Sequence, residues 1–95
     1  MNMKKIINGK TYNTDTALLI GSWDNGCNVT DFDYFAETLF KNQKDTYFLH
    51  GESGARGPYA VETDNGWYRG GEDIVPMEKS EAWAWAKEVL EADVS

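Results

Sequence analysis

Three Asn-Gly pairs divide this chain, and they limit its fold more than any other feature of the sequence. The pairs are Asn8-Gly9, Asn25-Gly26 and Asn65-Gly66. Both residue types tolerate a positive φ angle, so an Asn-Gly pair between short apolar or β-branched runs is a strong hairpin signal. We therefore expect a first hairpin from Lys4–Ile7 and Lys10–Tyr12, and a later one from Tyr59–Thr63 and Trp67–Arg69.

The middle of the chain predicts a further hairpin. The apolar residues of the segment 31–40 fit both the spacing of a helix and the alternation of a strand. We favour a strand over Phe35–Lys41, because Asn42–Asp45 has the composition of a turn and Thr46–His50 has that of a strand.

A short helix is expected between the first two hairpins. Thr14 can cap a helix that begins at Asp15, whose carboxylate suits the positive end of the helix dipole. Ala17–Ile20 would continue this helix, and Gly21 or the turn at residues 24–26 would end it.

The last third of the chain predicts one strand and one helix. Ile74-Val75 should form a short strand that Pro76 stops. A helix from about Lys79 to Ala92 would place an apolar face on the sheet, formed by Ala82, Trp85, Ala86, Val89 and Leu90. The expected fold is α+β in two layers, with a single domain over residues 1–95. Its small antiparallel sheet is built from hairpins and packed by the C-terminal amphipathic helix and the short N-terminal helix.

The chemistry-bearing residues of the chain argue against an enzyme. Cys27 and His50 are the single cysteine and the single histidine among 95 residues, too few for a zinc cluster or an internal disulfide. The glycine-rich segment Gly51–Gly57 lacks the ending of a phosphate-binding loop, so a structural turn is favoured over an anion site that would use Arg56. No nucleophile elbow surrounds Ser53, so a hydrolase using His50 and Ser53 is disfavoured. We expect no catalytic residue, metal or cofactor.

The charge of the chain is negative and unevenly distributed. The net charge is −7, and residues 11–40 hold five acids and no base. Residues 61–95 hold nine acids and three bases. Direct nucleic-acid binding needs a basic stripe, so it is disfavoured, whereas an acidic surface can attract a basic protein. The alternative is that the acidity only confers solubility. No apolar run is long enough to span a membrane, and we expect a cytoplasmic protein.

Several segments together carry a resemblance to a known group of proteins. They are Lys4–Ala17, Asp31-Phe32, Glu37–Phe40, Tyr47–Ala55, Ile74–Met77 and the helix with Ala82 and Trp85. On these segments the chain resembles small, mostly uncharacterised proteins of phages, plasmids and other mobile elements of Gram-positive bacteria. Phe40, His50 and Ser53 stand where that pattern has Tyr, Tyr and Gly, and Glu78 stands at the usual capping Ser or Thr. The resemblance implies a neighbourhood of genes that often counter host defences, and some small acidic examples are anti-CRISPR proteins.

The first functional hypothesis is an acidic inhibitor that binds a bacterial defence nuclease, such as a CRISPR effector. Carboxylates on a rigid sheet can imitate phosphates in front of a groove lined by arginine and lysine. Asp31, Asp33 and Glu37 are the expected phosphate mimics, and Trp67 and Tyr68 are the expected anchors. The other expected partner-binding residues are Glu62, Asp64, Glu72 and Asp73.

The second hypothesis is a non-enzymatic interaction or regulatory module, of which a homodimer is one form. Its acidity would serve solubility alone. An exposed strand edge, or an aromatic patch around Trp67, would favour this second hypothesis over a clustered acidic face.

Overall fold

The computed structural model describes residues 3–28, 30–42 and 46–90. Within these residues the chain forms short strands followed by one helix. The strands are β1 (Lys4–Ile7), β2 (Lys10–Asn13), β3 (Leu18–Asp24), β4 (Phe35–Lys41), β5 (Tyr47–Ser53), β6 (Val61–Glu62), β7 (Tyr68–Arg69) and β8 (Gly71–Met77). The helix α1 (Lys79–Trp85) continues into a π-helical turn, Ala86–Leu90.

Two of the Asn-Gly pairs form the hairpins that the sequence predicts. β1 pairs with β2 through Asn8 and Gly9, which have φ angles of 52° and 79°. β6 pairs with β7 through a turn in which Gly66 has a φ angle of 82°. The strands of this second hairpin are shorter than predicted, because Tyr59 belongs to the preceding turn.

β3, β4, β5 and β8 form an antiparallel sheet in the order β3-β4-β5-β8. β4 has the predicted bounds, and β5 runs three residues beyond the predicted strand. Residues 43–45 of the predicted turn lie outside the described residues. The prediction that Pro76 stops the last strand is wrong, since Pro76 lies inside β8. β8 is an edge strand, and a proline is tolerated there because its missing N–H can face away from the sheet.

The predicted N-terminal helix is not formed, and its residues belong to a turn and to strand β3. Thr14 does not cap a helix. Its N–H donates to the carbonyl oxygen of Met3 at 2.9 Å, and its hydroxyl accepts from the N–H of Met3 at 3.0 Å. Thr14 therefore extends the first hairpin, and the apolar run after it pairs with β4 with a bulge between Leu19 and Gly21.

The sheet is covered on both faces, so the protein has three layers instead of the expected two. On one face, Leu39 and Leu49 pack against Ala82 and Trp85 of α1. On the other face, Tyr12 of the first hairpin packs against a second cluster formed by Phe40, Phe48 and Ile74. Successive side chains of a strand point to opposite faces of the sheet, so Leu39 and Phe40 pack in different layers.

The C-terminal helix confirms the predicted apolar face at Ala82 and Trp85, which are buried. It begins after Glu78, whose N–H donates to the carboxylate of Glu81 at 2.9 Å. The predicted end of the helix at Ala92 lies outside the described residues. In the part of the chain that the structure describes, no helix has the length and apolar character that a membrane crossing needs.

Candidate functional site

The acids that the sequence analysis selected lie mainly at one end of the sheet. β3 and β5 end there, and β4 and β8 begin there, so the two connections 25–34 and 54–70 meet at this end. We call residues 24–37 and 52–73 the acidic end. They contain nine acids and two bases, Arg56 and Arg69. The acids are Asp24, Asp31, Asp33, Glu37, Glu52, Glu62, Asp64, Glu72 and Asp73.

The two connections are joined by backbone hydrogen bonds. The N–H of Gly54 donates to the carbonyl oxygen of Tyr34 at 2.8 Å, and the N–H of Arg56 donates to the carbonyl oxygen of Phe32 at 2.9 Å. A Cβ atom at Gly54 would overlap the carbonyl oxygen of Asp31, so only glycine fits this contact. The glycine-rich segment therefore acts here as the structural turn that the sequence favoured.

Asp31 and Asp33 are exposed in the connection 25–34. The carboxylate of Asp31 accepts the N–H of Asp33 at 2.9 Å, which fixes the local turn. The carboxylate of Asp33 lies 3.6 Å from the guanidinium of Arg56, which also lies 5.7 Å from the centre of the Phe32 ring. All of these side chains are exposed, so the ion pair adds little stability.

Glu37 is placed differently from the other predicted phosphate mimics. It is half-buried, and its carboxylate accepts hydrogen bonds from the Tyr59 hydroxyl at 2.7 Å and from the Trp85 ring N–H at 3.1 Å. Burial of Tyr59, together with this bond and the charge of Glu37, raises the pKa of Tyr59 well above its usual range. Glu37 thus connects the sheet to both the 54–60 turn and helix α1.

Glu72 and Asp73 are consecutive residues of β8 with different partners. Asp73 forms an ion pair with Lys5 of the first hairpin and accepts the N–H of Ile74 at 2.8 Å. Burial alone would raise the pKa of Asp73, but the hydrogen bonds and the charge of Lys5 outweigh it and lower this pKa. Glu72 is exposed and lies 3.6 Å from the Nε2 atom of His50.

The hairpin β6–β7 carries the two predicted aromatic anchors. Trp67 is 72% exposed and Tyr68 is 59% exposed. Glu62 and Asp64 are exposed in the same hairpin. The hairpin is closed by the N–H of Thr63, which donates to the carbonyl oxygen of Trp67 at 2.7 Å. The predicted anchors and two of the predicted acids are therefore presented together.

The sheet register creates an acidic row that sequence reasoning missed. Asp24 lies opposite Ala36, Ala36 lies opposite Glu52, and Glu52 lies opposite Glu72. Directly opposed residues share a face, so three carboxylates and one methyl group form a line across four strands. Glu52 was missed because the predicted strand ended at His50. The signal in the sequence was the spacing of two residues between His50 and Glu52. In a strand that continues to Ser53, this spacing places both side chains on the same face of the sheet.

Tyr34 stands beside this acidic row. Its hydroxyl donates to the Oε1 atom of Glu52 at 2.8 Å. Burial, the hydrogen bond to Glu52 and the charges of Glu52 and Asp24 raise the pKa of Tyr34 to about 12. The tyrosine therefore remains a hydrogen-bond donor at neutral pH.

His50 lies next to the acidic row and is buried, with 1% of its surface exposed. Neither ring nitrogen has a hydrogen-bond partner among the residues described. Ser53 points to the other face of the sheet, where its hydroxyl accepts the N–H of Tyr59 at 3.0 Å. His50 and Ser53 thus do not form a nucleophile–base pair. No group of three or more His, Cys, Asp and Glu residues within 3–28, 30–42 and 46–90 is arranged to hold a metal ion.

A separate apolar surface lies on strand β3 and helix α1. Leu18 is 64% exposed and Leu19 is 56% exposed on an edge strand. Ile20 and Trp83 line a groove of about 660 Å³ between the strand and the helix. The structure thus has both a cluster of acids at one end and an exposed strand edge.

Comparisons with protein-family models, with curated proteins and with solved structures found no match to this chain. The resemblance to proteins of mobile elements stays a prediction.

Proposed function

We propose that this protein is a non-enzymatic inhibitor that places its acidic end in the nucleic-acid groove of a bacterial defence nuclease, such as a CRISPR effector. The observation that carries the proposal is the concentration of nine acids against two bases at one end of the sheet. A groove that binds phosphates is lined by arginine and lysine, and it attracts such a surface strongly. Its targets would place the protein in the bacterial cytoplasm.

The aromatic residues of the β6–β7 hairpin support the same proposal. Binding energy at interfaces is concentrated in a few residues, and tryptophan and tyrosine are frequent among them. Trp67 and Tyr68 are exposed beside Glu62 and Asp64. In the proposed complex the acids guide the approach and the two rings supply apolar contact.

The proposal is tested by capture of nucleases from a host lysate, followed by measurement of affinity at rising salt. The double variant Asp31→Asn with Asp64→Asn should weaken binding and reduce its salt dependence. The matched control, Asp15→Asn with Glu88→Gln, removes two exposed charges outside the acidic end and should leave binding unchanged. The proposal is rejected if no nuclease is captured. Phosphate mimicry is rejected if the affinity does not depend on ionic strength.

Self-association is the second candidate function, and the exposed edge strand favours it. β3 presents unpaired backbone groups and the apolar side chains of Leu18 and Leu19 without a lysine or proline to block pairing. Two copies could join their β3 strands into a continuous sheet. Sedimentation at rising concentration tests this candidate, because Leu19→Lys should then shift the protein to the monomer. A wild-type protein that stays monomeric would exclude it.

A further inference from the structure

The groove between strand β3 and helix α1 is an apolar space that is open to solvent. It has a volume of about 660 Å³. Its lining consists of Ile20, Leu39, Tyr47, Ala82, Trp83 and Ala86, together with Lys79 and Ser80 of the first turn of α1. Trp83 is 72% exposed although it lines this apolar space. An exposed tryptophan beside an apolar groove is typical of a surface that binds another protein.

Strand β3 forms one side of the groove and has an unpaired edge. One edge of β3 pairs with β4, and no described strand pairs with the other. Leu18 lies opposite Lys41 and Leu19 lies opposite Phe40, so the two leucines point to different faces of the sheet. They are 64% and 56% exposed. An added strand would therefore bond to the free backbone groups of β3 and would cover apolar side chains on both faces.

The charges around this edge favour a second copy of the chain as the added strand. The run Leu18–Trp23 carries no charge, so two such strands do not repel each other. β3 runs from the groove at Ile20 to the acidic end at Asp24. Antiparallel pairing of two copies therefore sets the acidic end of each copy beside the groove end of the other.

The groove end is less acidic than the acidic end. Two polar cavities lie there, where β4 ends and β5 begins. Among the described residues, the charged side chains that line these cavities are three bases and two acids, namely Lys4, Lys10, Lys79, Glu78 and Glu81. The pairing thus keeps the two acidic ends apart and gives each of them a neighbour of different charge.

The exposed apolar area is large enough for the centre of a dimer interface. Burial removes about 150–250 Å² of a tryptophan from water, and about 60–120 Å² of a leucine or isoleucine side chain. From the exposed fractions of Trp83, Leu18, Leu19 and Ile20, each copy offers about 300 Å² of apolar side-chain surface. A standard interface buries about 800 Å² per partner, of which about 450 Å² is apolar. These four side chains therefore supply most of the apolar area that a stable dimer needs.

We propose that two copies of the chain pair their β3 strands antiparallel around a two-fold axis, and that each groove receives apolar side chains from the other copy's β3. Both α1 helices then lie on the same face of one continuous sheet, with one Trp83 on each side of the paired strands. The inference rests on self-association, the second candidate function, and adds the groove and Trp83 to the strand edge. It does not depend on nuclease binding.

Trp83 and Trp67 are matched residues for the test, because each is 72% exposed and only Trp83 lines the groove. Sedimentation equilibrium of the full chain, over about a hundredfold range of concentration, measures the dissociation constant of the dimer. Trp83→Gln should raise this constant at least about tenfold, because a two-fold interface loses two tryptophans. Trp67→Gln should change it by less than about twofold and should weaken nuclease capture instead.

Hydrogen exchange of the wild-type protein gives a second measurement that needs no variant. The backbone N–H groups on the free edge of β3 should become more protected as the protein concentration rises. Strand β8 forms the other edge of the same sheet and serves as the control. Its protection should not change with concentration.

The outcomes separate this inference from the functions proposed above. A wild-type protein that stays monomeric would overturn both the inference and self-association. A Trp83→Gln variant that dimerises like the wild type, or equal losses in the two tryptophan variants, would overturn the inference and leave pairing of the strand edges standing. Loss of nuclease capture in Trp83→Gln would assign the groove to the nuclease and overturn the second copy as its occupant. A dimer that depends on Trp83, without any captured nuclease, would support the inference and reject the proposed inhibitor.

Discussion

Replacement of Glu37 by alanine should destabilise the protein more than the loss of any other acid at the acidic end. Glu37 is half-buried and accepts hydrogen bonds from Tyr59 at 2.7 Å and from Trp85 at 3.1 Å. A hydrogen bond to a charged group contributes about 1.5–3 kcal/mol. Because the carboxylate is only half-buried, we take the lower value for each of the two bonds. Glu37→Ala should then lower the free energy of unfolding by about 3 kcal/mol.

The assay is urea unfolding followed by tryptophan fluorescence, with three further variants. Glu37→Gln keeps an acceptor oxygen, so its free energy of unfolding should fall by only about 1–2 kcal/mol. Glu62→Ala removes an exposed acid and should change the free energy of unfolding by less than about 0.5 kcal/mol. Tyr59→Phe combined with Glu37→Ala should be less destabilising than the sum of the two, because they share one bond.

The outcome also separates a structural role from a binding role. If Glu37→Ala costs less than about 1 kcal/mol, the two hydrogen bonds do not connect the layers as argued. If the variant keeps its stability and loses only partner binding, Glu37 acts as the phosphate mimic that the sequence suggested.

Three further predictions concern pH and packing. The pKa of Asp73 is lowered from its ordinary 3.8, so its stabilising contribution is present above that value and is lost as pH falls through the lowered pKa. Asp73→Asn should therefore flatten the acid-unfolding profile below about pH 4, measured by circular dichroism. Gly51→Ala should cost about 1–3 kcal/mol in urea unfolding, because its Cβ overlaps the Tyr59 ring. Tyr34 has a pKa raised to about 12, so its absorbance at alkaline pH should change only well above pH 10, a change that Tyr34→Phe removes.

Local signals in the sequence were sufficient for the hairpins. Asn8, Gly9 and Gly66 have the positive φ angles that these residue types tolerate, so the cause of the two turns lies in the turn residues themselves. Alternation alone did not decide β4, because apolar residues on both of its faces pack in a core. The turn composition of Asn42–Asp45 and the strand composition of Thr46–His50 favoured the strand. The C-terminal helix was equally predictable, since its apolar spacing does not depend on distant residues.

Features that depend on distant partners could not be predicted. Thr14 is a residue type that often caps helices, but it forms hydrogen bonds to Met3, eleven residues earlier. The apolar run that begins at Leu18 forms a strand because it pairs with β4. The sequence alone also does not show which acids are bonded within the fold and which are exposed. Only the register places Glu52 beside Glu72, and only the tertiary packing brings Tyr59 and Trp85 to Glu37.

The internally bonded carboxylates determine how the exposed ones are presented. Tyr34, at the end of the connection 25–34, donates to Glu52 on one face of the sheet. Tyr59, in the connection 54–70, donates to Glu37 on the other face. The two connections are thus fixed to the sheet from opposite sides and to each other by backbone bonds. In the proposed complex, exposed acids on fixed loops would lose little conformational freedom on binding, so Tyr34→Phe or Tyr59→Phe should weaken the affinity for the partner without removing a charge.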